Sequence, residues 1–138
     1  LSRTAERRFE LGPLPDGTLA ADPDRLAQAL RNLAGNAIEH TRDRSGLVRL
    51  EVGPVGRNMV SFTFVDDGPG IPAAERERVF ERFHRVDHAH TPSPEGAGLG
   101  LAIVRAIAEA HHGEVRVVAP LNGEGARVEM ILPGFRPR

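Results

Sequence analysis

Residues whose types could do chemistry fall in three stretches of this chain. The first ends on Asp66. Val60, Phe62 and Phe64 share one parity and Ser61 and Thr63 the other, so the run reads as a strand with one buried face. Asp66 has the buried parity, and a strand continuing in register aims its carboxylate at the apolar interior. An unpaired charge there costs on the order of several kcal/mol, so it calls for a partner with hydrogen-bond donors. Gly68 and Gly70 follow around Pro69 and strip side chains from the turning backbone, which lets a flat or bulky group come close. Asp-Gly and Pro-Gly also serve ordinary hairpin turns. The second stretch is a line at every fourth residue, Gln28, Asn32, Asn36 and His40, beside an apolar stripe. Asparagine is a mediocre helix residue, so the line is either a solvated flank or an amide-lined site. The third is Gly96-Ala97-Gly98-Leu99-Gly100. It lacks the Lys-Ser/Thr of a P-loop, and Leu101 breaks the spacing of a dinucleotide loop. Glycines at a helix start still expose backbone N–H groups to an anion, and the helix dipole favours phosphate.

The elements that must hold these residues can be read in order. Arg7 to Leu11 is a short strand and Asp16-Gly17 a turn. Asp22-Pro23 is an N-cap with proline at the first helical position, and Asp24 adds negative charge to the first turn. The helix carries its apolar stripe on Leu26, Ala29, Leu30, Leu33, Ala34, Ala37 and Ile38. Val48, Leu50 and Val52 make a half-buried strand, Gly53 to Asn58 a turn, and the Asp66 strand follows. Pro72 opens a short helix with Val79, Phe80 and Phe83 on its apolar side. His84 to Gly98 has no apolar period, the mark of a functional cover or a connection. The next helix buries Leu99, Ala102, Ile103, Ala106, Ile107 and Ala110 and stops at Gly113. Val115 to Val118 is a strand, Asn122 to Gly125 a turn, and the last strand turns Val128, Met130 and Leu132 inward. Pro133 onward reads as a tail. This order predicts an α/β two-layer sandwich: one mostly antiparallel sheet with helices packed on one face.

Composition narrows the function classes. At 138 residues the chain is read as one domain, with a net charge of -1 and basic residues that are all arginine. That balance argues against a nucleic-acid surface and against a polybasic membrane anchor. Cysteine is absent, which excludes a disulfide framework and thiolate chemistry. No apolar run reaches the roughly 18 residues of a membrane span. The start at Leu1 rather than Met suggests a piece of something longer.

The order of these stretches resembles the ATP-binding catalytic domain of sensor histidine kinases, a Bergerat-type fold shared with type II topoisomerases, the chaperone Hsp90 and mismatch-repair ATPases. Asn32-Leu33-Ala34-Gly35-Asn36-Ala37 is similar to the N box, and Asp66-Asp67-Gly68-Pro69-Gly70-Ile71 to the first glycine box. Val79 to Asp87 looks like the F box, and Gly96-Ala97-Gly98-Leu99-Gly100-Leu101 like the second glycine box. The resemblance covers nearly all of the chain, read as one ATP-binding catalytic domain over residues 1–138, and implies an ATP lid over 84–98. It further implies that Asp66 accepts a hydrogen bond from the adenine amino group. Gly68, Gly70, Ile71, Phe83, Gly96, Gly98, Leu99, Gly100 and Leu101 would complete the ATP site. Asn36 would hold Mg²⁺ with Asn32 close by, since an amide oxygen suits a hard cation. His40 would cover the adenine, and Arg85 would reach the terminal phosphates. Asn32 and Arg85 are the expected catalytic residues.

Three positions depart from the family pattern: Glu39 where lysine is common, His40 where tyrosine is usual, and Ala126 where threonine or serine is frequent. The implied activity is transfer of the ATP γ-phosphoryl group to a histidine on a separate dimerisation domain of the same polypeptide, within a two-component system. A cognate response regulator would be the second partner. The same resemblance implies a cytoplasmic domain of a membrane-anchored bacterial receptor, homodimeric as a whole protein and monomeric as this domain. The alternatives are a degenerate regulatory module and an anti-sigma-factor-type serine kinase. The ATPase relatives carry a glutamate general base where this chain has Asn32, so activation of water is not expected.

Overall fold

In a computed structural model the chain is described over residues 8–41, 46–81, 100–121 and 125–138. Strands β1 (Arg8–Leu11) and β2 (Gly17–Leu19) precede helix α1 (Pro23–His40). β3 (Leu47–Val55) and β4 (Met59–Asp66) form a hairpin, followed by single 3-10 turns at Ala73–Glu75 and Arg78–Phe80. Helix α2 (Gly100–Ala110) leads into β5 (Glu114–Val118), β6 (Ala126–Pro133) and β7 (Phe135–Pro137). The main sheet has five strands in the order β1-β3-β4-β6-β5, with β1 parallel to β3 and every other pair antiparallel. Both helices lie on one face of it, as the residue order predicts.

α1 forms as its sequence dictates. The Asp22 carboxylate accepts from the N–H groups of Asp24 at 3.0 Å and Arg25 at 3.3 Å, with Pro23 at the first position. Ala29, Leu33 and Ala37 are fully buried, and Leu26, Leu30 and Ala34 pack beside them. At the far end the buried Thr41 hydroxyl donates to Ala37 O at 3.1 Å, satisfying one of the carbonyls that the helix leaves unpaired. The two helices are pinned together through His111. Its Nε2 accepts from the Asp22 N–H at 3.1 Å while Nδ1 lies 2.8 Å from Ile107 O, an arrangement that assigns the proton to Nδ1.

Several sequence expectations need correction. α2 buries Val104, Ile107 and Ala108, while Ala106 and Ala110 are exposed. Its stripe is rotated by about one residue, because Leu101 and Val104 fill more of the core than the alanines do. β3 runs through Gly53 and Pro54, shortening the expected turn to Gly56–Asn58. β1 flanks β3 only as far as Leu50, and the open edge beyond is where a strand tolerates proline. The expected helix after Pro72 is two short 3-10 turns that bury Val79 and Phe80. Pro133 onward is no loose tail: β7 pairs antiparallel with β2, Leu19 opposite a buried Phe135. Gly17 therefore begins a strand, and a Cβ there would sit 2.4 Å from Arg136 O.

Candidate functional site

β4 delivers Asp66 to the end of the sheet between two neighbours, Val48 on β3 and Ala126 on β6. Only 3% of Asp66 is exposed. One carboxylate oxygen accepts the Gly68 N–H at 2.9 Å, which begins to satisfy the buried charge. Its backbone carbonyl accepts the Gly125 N–H at 2.7 Å and so ties the start of β6 to the glycine turn. The crossing is tight. A Cβ on Gly125 would stand 2.1 Å from Gly68 O, and one on Gly70, whose φ is +87°, 2.6 Å from Gly125 O. Both positions need glycine for space, and Gly70 for conformation as well. Outside the crossing opens a cleft of about 370 Å³ lined by Gly68, Pro69, Gly70, Ile71, Pro72, Pro120 and Gly125. Ile71 roots this cleft in the same apolar cluster that holds Ala37 and Phe80.

The amide line and the second helix meet one another. Asn32 Nδ2 donates to Gly100 O at 3.4 Å, so the first residue of α2 faces the middle of α1. Asn36 lies one turn further along α1 and is half-buried. Leu101 packs on the core. Phe83, Arg85, Gly96, Gly98 and Leu99, with the expected lid at 84–98, lie outside the described residues. So does the side chain of His40, although its backbone closes α1. The structure thus brings together Asp66, Gly68, Gly70 and Ile71, and separately Asn32 and Gly100. Among the described residues no cluster of metal-ligating side chains occurs, and Asn36 alone could hold a cation only together with a ligand's own oxygens.

Sequence reading missed Gly125 and Pro120. Asn122 to Gly125 reads locally as a turn, and the signal that could have found Gly125 is non-local: in an antiparallel β4–β6 pair, Ala126 falls opposite Asp66. Asp67 is a third omission. Its Oδ1 accepts the Leu47 N–H at 3.0 Å, fixing the entry of β3 beside the site.

A two-layer sandwich with a buried aspartate and a glycine crossing at the sheet end agrees with the fold that the glycine-box resemblance implies. Residues 21–135 match the family of histidine kinase-, DNA gyrase B-, and HSP90-like ATPases, and the chain belongs to that family. The adaptive-response sensory kinase SasA of Synechococcus sp. (strain JA-3-3Ab) is 36% identical over 124 residues, 90% of this chain and 32% of that protein. The signal transduction histidine-protein kinase BaeS of Escherichia coli (strain K12) is 36% identical over 133 residues, 94% of this chain and 28% of that one. The chain therefore spans about a third of the length of these curated relatives. Among solved structures, the mycobacterial sensor histidine kinase MprB superposes with a TM-score of 0.83 at 31% identity, covering 96% of this chain and 86% of that one. Full-length ShkA in complex with AMPPNP gives 0.73 at 37% identity, covering 97% and 26%. The resemblance read from the boxes is thereby established: the chain is of the kind that forms the catalytic ATP-binding domain of sensor histidine kinases.

Proposed function

We propose that this domain binds Mg²⁺-ATP and supports transfer of its γ-phosphoryl group to a histidine on a separate dimerisation domain. The observation that carries this reading is Asp66, a carboxylate held almost wholly out of water beside a glycine-walled cleft. Its Gly68 hydrogen bond comes from the backbone and organises the turn. A carboxylate so placed suits the exocyclic amine of adenine, and the bare backbone of Gly68 and Gly70 leaves room for the planar base. Ile71 would form the apolar floor. The relative ShkA was solved with AMPPNP, an ATP analogue, which supports a nucleotide in this cleft.

Asn32 and Asn36 fit the phosphate end. Asn36 offers an amide oxygen to Mg²⁺, which would neutralise phosphate charge, and Asn32 holds α2 through Gly100. Gly96, Gly98 and Gly100 would present backbone N–H groups to phosphate, flanked by Leu99 and Leu101. Arg85 is assigned to the terminal phosphates, and Phe83 and His40 to flanking the nucleotide. Because Asn32 carries no proton-accepting carboxylate, water is not activated, and a neutral imidazole is the better nucleophile. The relatives are sensor kinases, which favours this reading over a degenerate module or a serine kinase. A response regulator as partner is supported by a related kinase, ThkA, solved in complex with one. We further assign this chain to the cytoplasmic side of a membrane-anchored receptor that is dimeric as a whole; no described helix is long and apolar enough to cross a membrane.

Calorimetry tests the reading. Asp66→Asn should weaken ATP binding by about a hundredfold while the protein stays folded. Wild-type affinity in that variant overturns the adenine assignment. Asn36→Ala should lose most of the Mg²⁺-dependent gain in affinity, and an undiminished gain removes the metal role.

A further inference from the structure

We propose that Arg105 is a positioning residue for phosphoryl transfer: from α2 it holds the 3-10 segment that ends at Glu81. The guanidinium stacks 5.2 Å from the centre of the Phe80 ring. One amino group donates to the Glu77 carboxylate, and Nε lies 3.6 Å from the Glu109 carboxylate one turn along α2. A planar group that faces a ring, donates to one carboxylate and lies beside a second is arginine's particular capacity; lysine keeps only the charge.

Among the described residues the other polar anchors of the segment include a local one, Arg76 Nε donating to Ile71 O at 3.3 Å. Its two 3-10 turns have no side-chain caps. Its backbone bonds close on itself, from Glu75 N–H to Pro72 O at 2.8 Å, Phe80 N–H to Glu77 O at 3.4 Å and Glu81 N–H to Arg78 O at 2.9 Å. Val79 and Phe80 are buried and set the depth of the segment, but apolar packing is not directional. Arg105 supplies direction. It stands five residues past Gly100, the residue that meets Asn32, so one helix carries both interactions. The half-exposed setting of Arg105 and the exposed setting of Glu77 make the ion pair worth little in stability, so the clamp acts on placement. Arg85, assigned above to the terminal phosphates, follows Glu81 by four residues, and the inference rests on that assignment. The adenine end is built from Asp66, Gly68, Gly70 and Gly125, none of which is among the groups that Arg105 is seen to hold.

The experiment measures ATP-dependent phosphorylation of a supplied dimerisation domain carrying the acceptor histidine. Arg105→Met should lower kcat about tenfold and leave KM for ATP within about twofold. Arg105→Lys should recover part of that loss, and Tm should move by no more than about 4 °C in either variant. An unchanged kcat in Arg105→Met overturns the proposal, as does a KM that rises in step with a falling Tm. Should that variant fail to fold, Glu77→Gln removes the same pair from an exposed position and is held to the same outcomes. Hydrogen exchange at the Phe80 and Glu81 amides gives a readout independent of activity, expected at least about threefold faster in Arg105→Met. Unchanged exchange refutes the clamp. If the wild-type protein transfers no phosphate, the proposed function fails, and the exchange result still decides what Arg105 holds.

Discussion

On one face of β4, Phe64 is buried under the helices and Asp66 closes the row; on the other, Thr63 and Val65 are equally buried with no described helix above them. What covers the second face is charge. Val65 lies between Arg49 and Arg127 in register, and Thr63 between Glu51 and Glu129. Arg127 reaches Glu51 at 3.0 Å, Arg49 reaches Glu51 at 2.9 Å and Glu10 at 3.8 Å, and Arg116 bridges Glu129 at 2.9 Å. Long side chains thus lay their methylene stems over the strand and keep their heads in water. The comparison separates two kinds of burial. Under the helices it is made by interlocking apolar volume; on the open face it is made by a lattice of pairs that individually contribute little.

The sharpest break is Phe64→Ala, which should cost about 3–5 kcal/mol in chemical denaturation because the helix layer cannot collapse into the void. Gly125→Ala comes next at about 2–3 kcal/mol, since the Gly68 turn must move away to admit the methyl group, and nucleotide binding should fall with it. On the open face, Arg127→Ala should cost only about 1 kcal/mol, mostly as lost cover over Val65. A cost as large as that of Phe64→Ala would erase the distinction between the faces. The smallest effect is Glu51→Gln. Burial raises the Glu51 pKa, but the hydrogen bonds and charges of Arg49 and Arg127 outweigh it and the net shift is downward from 4.5. A lowered folded-state pKa gives stability above the ordinary value that is lost as pH falls through the folded one. The wild-type advantage should therefore be a few tenths of a kcal/mol at pH 7 after solvent screening, on the order expected of an exposed pair, and vanish in acid. An advantage that grows on acidification contradicts the sign.

Periodic signals in the sequence hold in the structure because burial on a single layer enforces them. α1 shows its seam on Ala29, Leu33 and Ala37, and β4 brings Asp66 inward, as the sequence predicts. α2 is less legible: alanine satisfies either an apolar stripe or an exposed flank, so Ala106 and Ala110 carry no orientation. The burial of Thr63 and Val65 is illegible for a different reason, since their cover comes from charged side chains on neighbouring strands. Of the site, the Asp66 turn and the Asn32 line are readable from local chemistry. Gly125 is not, because its need for bare backbone arises from a residue far away in sequence.

The pairing of β7 with β2 joins the two ends of the described chain. Closing so large a loop carries a high entropic cost, and pairings of this separation tend to form late. During synthesis the described partner of Gly17–Leu19, Phe135–Pro137, is among the last parts of this sequence to be made. Only Ala20 and Ala21 separate β2 from the Asp22 cap, so the same pairing also anchors the entry to α1. This short staple should open on warming before the core does, loosening the entry to the helix that carries Asn32 and Asn36.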